Sequence, residues 1–313
     1  MTANYSPSPF TIFCGKGGVG KTTLSLAFAL WQAELGRSVV VVTSHPLPEL
    51  AACISLSGLK EQFPQAASHL FIVCLEPRAV LNDKVKEYIP SGVLQKAVLS
   101  SRIYNSLVEV APGLKEIVFL DRLRQLVQGE TKQIDGQRFE LLVWDAPATG
   151  HFLQTMKAAR DFEQYLSGPF ALMGKELTQF FSVPSVLSVL PVTTLEEMAV
   201  QETIELCEKL RNDLKIQPKA ILCNLTSPAL AKRVDPSETI MDEMRNAASN
   251  AVDWQFIRDR LRAERTLFVQ LREKTGTPLK IVERTADWES DVELLSGLAG
   301  QLAAQFASEG KGE

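Results

Sequence analysis

The sequence predicts an α/β fold in which helices cover both faces of a mainly parallel sheet. Short apolar runs of strand type alternate along the chain with longer segments of helical pattern, and most strand runs are apolar throughout. Such runs are typical of strands buried on both faces. At 313 residues, 45% of them hydrophobic and 22% charged, the chain can bury a sizeable core. We expect a single domain over residues 1–313 with helical insertions.

The first half of the chain supplies the clearest elements. Residues 10–14 read Phe-Thr-Ile-Phe-Cys and residues 38–43 read Ser-Val-Val-Val-Val-Thr, two runs whose β-branched and aromatic side chains favour strands. An apolar run over residues 138–145 ends in an aspartate. The predicted elements are, in order, strand 10–14, helix 22–35, strand 38–43, strand 69–75, a helical stretch over 79–128, and strand 138–145.

The second half continues the same alternation. Helical insertions are expected at about 79–128 and 151–185. The later elements are strand 186–190, helix 194–212, strand 218–223, helix 253–274, strand 278–283 and helix 290–307. In a parallel sheet of this kind, ligands bind at the carboxyl ends of the strands.

Residues 15 to 23 form a glycine-rich loop between the first strand and the first helix. They read Gly-Lys-Gly-Gly-Val-Gly-Lys-Thr-Thr, which fits the phosphate-loop pattern of glycine, four residues, glycine, lysine, then serine or threonine. The strand before the loop and the helix after it are the context that this motif needs. The sequence therefore predicts a P-loop NTPase fold.

Each residue of the loop has an expected role. The glycines allow backbone angles that a Cβ would forbid, so successive N–H groups turn inward around a phosphate chain. Lys21 would bind the β- and γ-phosphates, and the Thr22 hydroxyl would bind Mg²⁺. The predicted nucleotide-binding residues are Gly15, Lys16, Gly17, Gly18, Val19, Gly20, Lys21, Thr22 and Thr23.

A second lysine in the loop indicates which group of P-loop NTPases the chain resembles. Lys16 directly follows the first glycine, and this loop resembles that of the deviant phosphate-loop ATPases, which include the arsenite-pump ATPase, the tail-anchored-protein targeting ATPases, MinD and ParA. In that group the early lysine reaches the nucleotide on the partner subunit. The resemblance implies a dimer in which Lys16 acts catalytically, together with Lys21.

The segment after strand 138–145 indicates a branch of that group. Asp145 ends the strand, where a water-mediated Mg²⁺ partner belongs. Residues 145–151 read Asp-Ala-Pro-Ala-Thr-Gly-His, similar to the switch of the arsenite-pump and tail-anchored-protein targeting ATPases. That resemblance implies ATP and Mg²⁺ as cofactors.

Asn224 ends the strand run Lys-Ala-Ile-Leu-Cys-Asn. It is similar in position to the family asparagine whose amide reads the adenine edge, since an amide both donates and accepts hydrogen bonds. The alternative is a turn-capping asparagine.

The segment after strand 38–43 departs from the family pattern. The resemblance implies two aspartates there, the second of which orients the attacking water. This chain has His45 and Ala52 at those places, and an alanine cannot position water. Three interpretations stay open: Glu49 substitutes as a catalytic carboxylate, the chain hydrolyses ATP slowly, or it is a non-hydrolytic regulatory subunit of a heterodimer.

Composition limits the partners. A net charge of −4 gives no general attraction to nucleic acid or to anionic lipid. We see no secretory signal and no run of roughly 18 apolar residues, so we expect a cytoplasmic protein without membrane insertion. The five cysteines are scattered singly, which argues against a zinc-clasped dimer.

A hydrophobic protein client is implied by the resemblance to the targeting ATPases. The inserted segments 79–128 and 165–191 are rich in apolar residues, although core packing is the simpler account of them. The apolar residues considered for such a surface in the first segment are Val108, Leu114, Ile117, Phe119, Leu120 and Leu123.

A MinD-like or ParA-like positioning ATPase also stays open as an interpretation. The C-terminal helix, however, lacks the basic face of a membrane anchor. Acidic residues interrupt the arginines of residues 256–274, which argues against a surface for DNA.

Overall fold

The computed structural model describes residues 5–44, 56–111, 113–130, 137–231, 254–284 and 289–307. Seven strands form one sheet in the order β3-β2-β4-β1-β5-β6-β7, and neighbouring strands are parallel. The strands are β1 Phe10–Gly15, β2 Val39–Thr43, β3 Leu70–Cys74, β4 Leu141–Ala148, β5 Leu187–Thr194, β6 Ile221–Thr226 and β7 Leu279–Glu283. The predicted α/β class and its parallel sheet are confirmed.

Thirteen helices are present in the described ranges. Those in the first part of the chain are α1 Lys21–Glu34, α2 Leu56–Gln62, α3 Pro64–His69, α4 Pro77–Tyr88, α5 Gly92–Ser100, α6 Arg102–Val110 and α7 Leu114–Gln128. Those in the second part are α8 Thr149–Tyr165, α9 Pro169–Ser182, α10 Glu197–Asn212, α11 Pro228–Ala231, α12 Trp254–Thr275 and α13 Asp291–Ala307.

Several predicted boundaries differ from the structure: β4 and β6, for example, end at Ala148 and Thr226, three residues beyond the expected ends at Asp145 and Cys223. The helical stretch expected over 79–128 is four helices, α4 to α7; the break before α7 has Gly113 at φ 82°, a conformation that favours glycine and ends regular helix. Strand β5 continues to Thr194, beyond the expected end at residue 190, because β1 and β6 both pair with its extension, Cys14 with Pro191 and Asn224 with Thr194.

Apolar side chains of the central strands alternate between the two faces of the sheet. In β2, Val39 and Val41 pack against α1 and α13, whereas Val40 and Val42 pack against the helices of the other face, α7 to α9 among them. All four are buried. Both faces are therefore covered, which explains the unbroken apolar run Val39–Val42 of β2.

The helix pair α1 and α13 closes one face through an aromatic cluster. Phe306 lies with its ring centroid 4.6 Å from that of Tyr5, 6.2 Å from that of Phe28 and 6.1 Å from that of Trp31. Because α1 begins directly after the glycine-rich loop, this packing fixes the helix whose N-terminus forms part of the candidate site.

Candidate functional site

The glycine-rich loop lies at the carboxyl edge of the sheet, between β1 and α1. Its first residue, Gly15, has φ 138°, and a Cβ there would lie 2.3 Å from the carbonyl oxygen of Val192 in β5. Only glycine allows the loop to pass this close to the neighbouring strand.

The end of the loop is packed as tightly against β6. Gly20 has φ 91°, and a Cβ there would lie 2.3 Å from Nδ2 of Asn224. That nitrogen donates a 2.9 Å hydrogen bond to the carbonyl oxygen of Val19. Asn224 is 6% exposed. The structure therefore places this predicted residue, buried, directly against the loop.

The outer side of the loop is open. Added Cβ atoms at Gly17 and Gly18 would meet nothing within 4 Å. Helix α1 starts at Lys21 without a side-chain cap and without an acidic residue in its first turn. The N–H groups at this helix end are therefore open to an anion, and the loop fits a phosphate chain.

Lys21 lies across the loop. Its Nζ donates a 2.9 Å hydrogen bond to the carbonyl oxygen of Lys16. Burial lowers the pKa of Lys21, and the nearby Asp145 carboxylate opposes that shift. An ammonium group that has lost part of its water is suited to bind a phosphate, which restores the lost interactions.

Asp145 joins the loop to two strands. Its Oδ2 accepts a 2.7 Å hydrogen bond from Thr22 Oγ1 and a 3.2 Å bond from Thr43 Oγ1, and the residue is 2% exposed. Hydroxyl and carboxylate oxygens are ligands that Mg²⁺ prefers. The structure therefore brings together Thr22 and Asp145, the two residues that the sequence predicted as Mg²⁺ ligands.

Sequence reasoning missed Thr43. It is the last residue of β2 and pairs in register with Asp145 of β4. A threonine at the carboxyl end of a strand was the one signal in the sequence, but the strand order β2-β4 that brings the pair together is tertiary information. The segment that starts at Asp145 continues into α8, which begins at Thr149.

The remaining predicted residues divide into two groups. Val19 is buried and Lys16 and Thr23 are half-buried at the loop. His45, Glu49 and Ala52 lie outside the described residues, so the expected substitute carboxylate stays a prediction.

Three further properties of the described residues are their capacity to hold a metal through side-chain clusters, the protonation of buried thiols, and the capacity of the helices to span a membrane. Within the described ranges, no group of three or more histidine, cysteine, aspartate or glutamate side chains could hold a metal ion. Burial raises the pKa of Cys207 to about 11 and that of Cys223 to about 12, which keeps both thiols protonated. No helix in the described part of the chain is both long and apolar enough to span a bilayer.

Residues 9–175, more than half of the chain, match the family described as anion-transporting ATPases. The chain belongs to the anion-transporting ATPase family. The matched region contains the glycine-rich loop and Asp145, which are the features that carried the resemblance in the sequence.

Curated proteins with related sequences cover different shares of the chain. The chain is 24% identical to ATPase BagA of Mycobacterium tuberculosis over 255 residues, 78% of this chain and 70% of that protein. It is 26% identical to the arsenical pump-driving ATPase of Escherichia coli over 220 residues, 66% of this chain and 37% of that protein. It is 26% identical to ATPase ASNA1 homolog 2 of Paramecium tetraurelia over 164 residues, 52% of this chain and 48% of that protein.

Proposed function

We propose that this member of the anion-transporting ATPase family is an ATP- and Mg²⁺-dependent ATPase that acts as a dimer, with slow or partner-dependent hydrolysis driving a conformational switch. The observation that carries the proposal is the 2.7 Å contact between Thr22 and Asp145 beside the uncapped start of α1. This arrangement combines a phosphate cradle with two oxygen ligands for a hard cation.

The residues of the loop and of the adjacent strands have different proposed roles. Lys21 would leave the carbonyl of Lys16 and bind the β- and γ-phosphates, Thr22 would ligate Mg²⁺, and Asp145 would hold the metal through water. Mg²⁺ held there would neutralise the charge that develops on the phosphates. Asn224 is proposed to read the adenine edge from the adjacent strand end.

Lys16 is proposed to act in trans. Its side chain is half-buried at the loop, and in the ATPases that the loop resembles, this lysine completes the partner's site. The nucleotide would then bridge two subunits and hold the switch segments 44–52 and 145–151 closed until hydrolysis releases them. The partner is a second copy or a related ATPase.

A non-hydrolytic ATP-binding subunit is the second candidate. Ala52 occupies the place at which a water-positioning aspartate is expected, and an alanine cannot orient water. Hydrolysis by this chain alone would then depend on Glu49 or on the electrostatic contribution of the lysines and Mg²⁺.

A hydrophobic protein client is proposed on the basis of exposed apolar side chains on the inserted helices. Val93, Leu94, Ile103 and Val110 are exposed on α5 and α6. The residues singled out from sequence are different: Val108, Ile117, Phe119, Leu120 and Leu123 are buried, and Leu114 packs against the same core. Core packing therefore accounts for those, and other side chains carry the client proposal.

The membrane-positioning interpretation has less support. Val292, Leu295, Leu298, Leu302 and Phe306, the apolar face of α13, are buried and pack on the α1 side of the sheet. An amphipathic membrane anchor needs such a face free. On α12, the acids Asp259 and Glu273 are exposed among the arginines, which weakens the surface for nucleic acid.

The purified chain should be sized by light scattering with and without ATP and Mg²⁺, while phosphate release is followed in the same samples. We expect ATP to convert monomer to dimer with slow phosphate release. Binding and dimerisation without phosphate release would favour the regulatory subunit. Absence of ATP binding at any concentration up to millimolar would contradict both candidates.

A further inference from the structure

Asn224 makes a contact that adenine recognition does not require. Its Nδ2 donates to the carbonyl oxygen of Val19 at 2.9 Å, so the end of β6 is bonded to the phosphate-binding loop. Both residues are buried, Asn224 at 6% and Val19 at 3% exposure. A hydrogen bond shielded from water holds its partners more firmly than an exposed one.

The loop also packs sterically against the same amide. A Cβ on Gly20 would lie 2.3 Å from Nδ2 of Asn224, so the glycine backbone lies directly on the carboxamide. Gly20 precedes Lys21, the first residue of α1. The amide therefore contacts the loop where its last turn becomes the helix N-terminus.

Strand β6 is distorted where it makes this contact. Its pairing register with β7 shifts between Cys223 and Thr226, and Leu225 adopts φ 55° with its side chain exposed. A left-handed conformation is unfavourable for a leucine. Irregularities of this kind change the direction of nearby side chains, and Asn224 lies between the two residues where the register shifts.

We propose that Asn224 is a positioning residue for the phosphate-binding loop, holding Val19 and Gly20 in the binding conformation before any nucleotide arrives and independently of the base. The proposal rests on the proposed function only in that the loop binds phosphate. An amide has a second N–H and a carbonyl oxygen, so holding the loop leaves base recognition to those groups.

Hydrogen–deuterium exchange of the nucleotide-free protein tests the proposal without any ligand. Asn224→Ala should raise the exchange rate of amides in residues 15–23 by about fivefold, the effect of one lost hydrogen bond. Asn212→Ala, at the exposed end of α10, is the matched control and should leave those amides unchanged. Asn224→Asp, which keeps the size but not the donor, should reproduce the effect if the alanine variant is too unstable to measure.

Titration with inorganic tripolyphosphate and with ATP gives the second readout. A positioning role predicts that Asn224→Ala weakens the binding of both ligands. Tripolyphosphate, which has no base, should bind about fivefold more weakly because the loop itself is affected. Unchanged exchange together with unchanged tripolyphosphate affinity would overturn the proposal and leave Asn224 as a base contact alone. If the wild-type chain binds neither ligand, the proposed function fails, and the exchange experiment still decides the positioning role.

A double-mutant cycle with Gly20→Ala separates direct contact from general damage. The left-handed strain at residue 20 is present in both backgrounds and cancels. If the carboxamide packs on Gly20, Gly20→Ala should raise the amide exchange rates of the loop less in the Asn224→Ala background than in the wild type. Equal effects in the two backgrounds would contradict a direct contact.

Discussion

The half-buried ammonium of Lys21 illustrates how single residues set the chemistry of the loop. Burial lowers its pKa while Asp145 opposes the shift, and its Nζ donates to a backbone carbonyl, that of Lys16. A carbonyl offers only a partial negative charge, so a phosphate oxygen is the stronger partner. A bound phosphate would therefore replace the carbonyl of Lys16 as the partner of Lys21.

Substitution of the two loop lysines should have different effects. We expect Lys21→Ala to lose nucleotide affinity, because this lysine lies in the loop of its own subunit. Lys16→Ala should mainly lose ATP-dependent dimerisation, because its proposed contact is in trans. Calorimetric titration and light scattering of both variants check this, and equal losses in both assays would remove the distinction.

The lowered pKa of Lys21 predicts a pH dependence of stability. The unfolded chain keeps this proton up to the ordinary value of 10.5, whereas the folded chain loses it at lower pH, so the unfolded state binds more protons within that window. The stability of the nucleotide-free wild type relative to Lys21→Met should therefore rise as the pH increases towards 10.5. Urea denaturation of both proteins across that range measures the difference; a difference that is constant or falls with pH would contradict the burial effect.

At the scale of elements, the loop is held by three strand ends. Val192 of β5, Asn224 of β6 and Asp145 of β4 contact the loop or the start of α1. The opposite end of α1 is fixed by the aromatic cluster that includes Trp31 and Phe306. Helix α1 thus connects a polar site at one end with apolar packing at the other.

Removal of Phe306 should test that packing. Phe306 is 1% exposed, and Phe306→Ala should lower the free energy of unfolding by about 3–5 kcal/mol because it leaves a cavity. Phe306→Leu should lose less, about 1.5 kcal/mol. Phe170→Ala, at a side chain 46% exposed, is the control and should cost less than Phe306→Ala. Urea denaturation gives all three values, and similar losses for Phe306 and Phe170 would contradict the role of the cluster.

At the scale of the whole molecule, the parallel sheet brings distant segments to one edge. Thr22 and Asp145 are 123 residues apart, and Asn224 and Val19 are 205 apart, yet each pair is in contact because all these strands end at the same side. In the proposed function, ATP hydrolysis would depend on the segment after β2, which contains Glu49 and Ala52.

Substitutions in that segment should distinguish enzyme from regulatory subunit. If Ala52 occupies the water-positioning place, Ala52→Asp should raise ATP hydrolysis while leaving ATP affinity nearly unchanged, since the new group acts only on the attacking water. If Glu49 already supplies the carboxylate, Glu49→Gln should abolish the wild-type rate. Single-turnover phosphate release compares the three proteins. No hydrolysis in any of them, alone or with a partner, would falsify the ATPase assignment.

The sequence by itself determined the α/β class, the family resemblance and the loop residues. A phosphate-binding loop is local: the glycines, Lys21 and Thr22 lie within nine consecutive residues, and the flanking strand and helix have clear periodicity. The place of Asp145 beside the loop was also predictable, because a carboxylate towards the carboxyl end of an apolar strand has a defined place in a parallel sheet. These inferences needed only short-range pattern.

Only the tertiary structure decided which residues meet across strands and which apolar residues are exposed. Thr43 reaches Asp145 because β2 pairs with β4, and Asn224 bonds to Val19 where the register of β6 shifts and Leu225 is left-handed. Likewise, Ile117 is buried while Ile103 is exposed, although both lie in apolar helical segments. Strand order, backbone distortion and helix packing depend on contacts far apart in the chain, and a periodic pattern in one segment does not contain them.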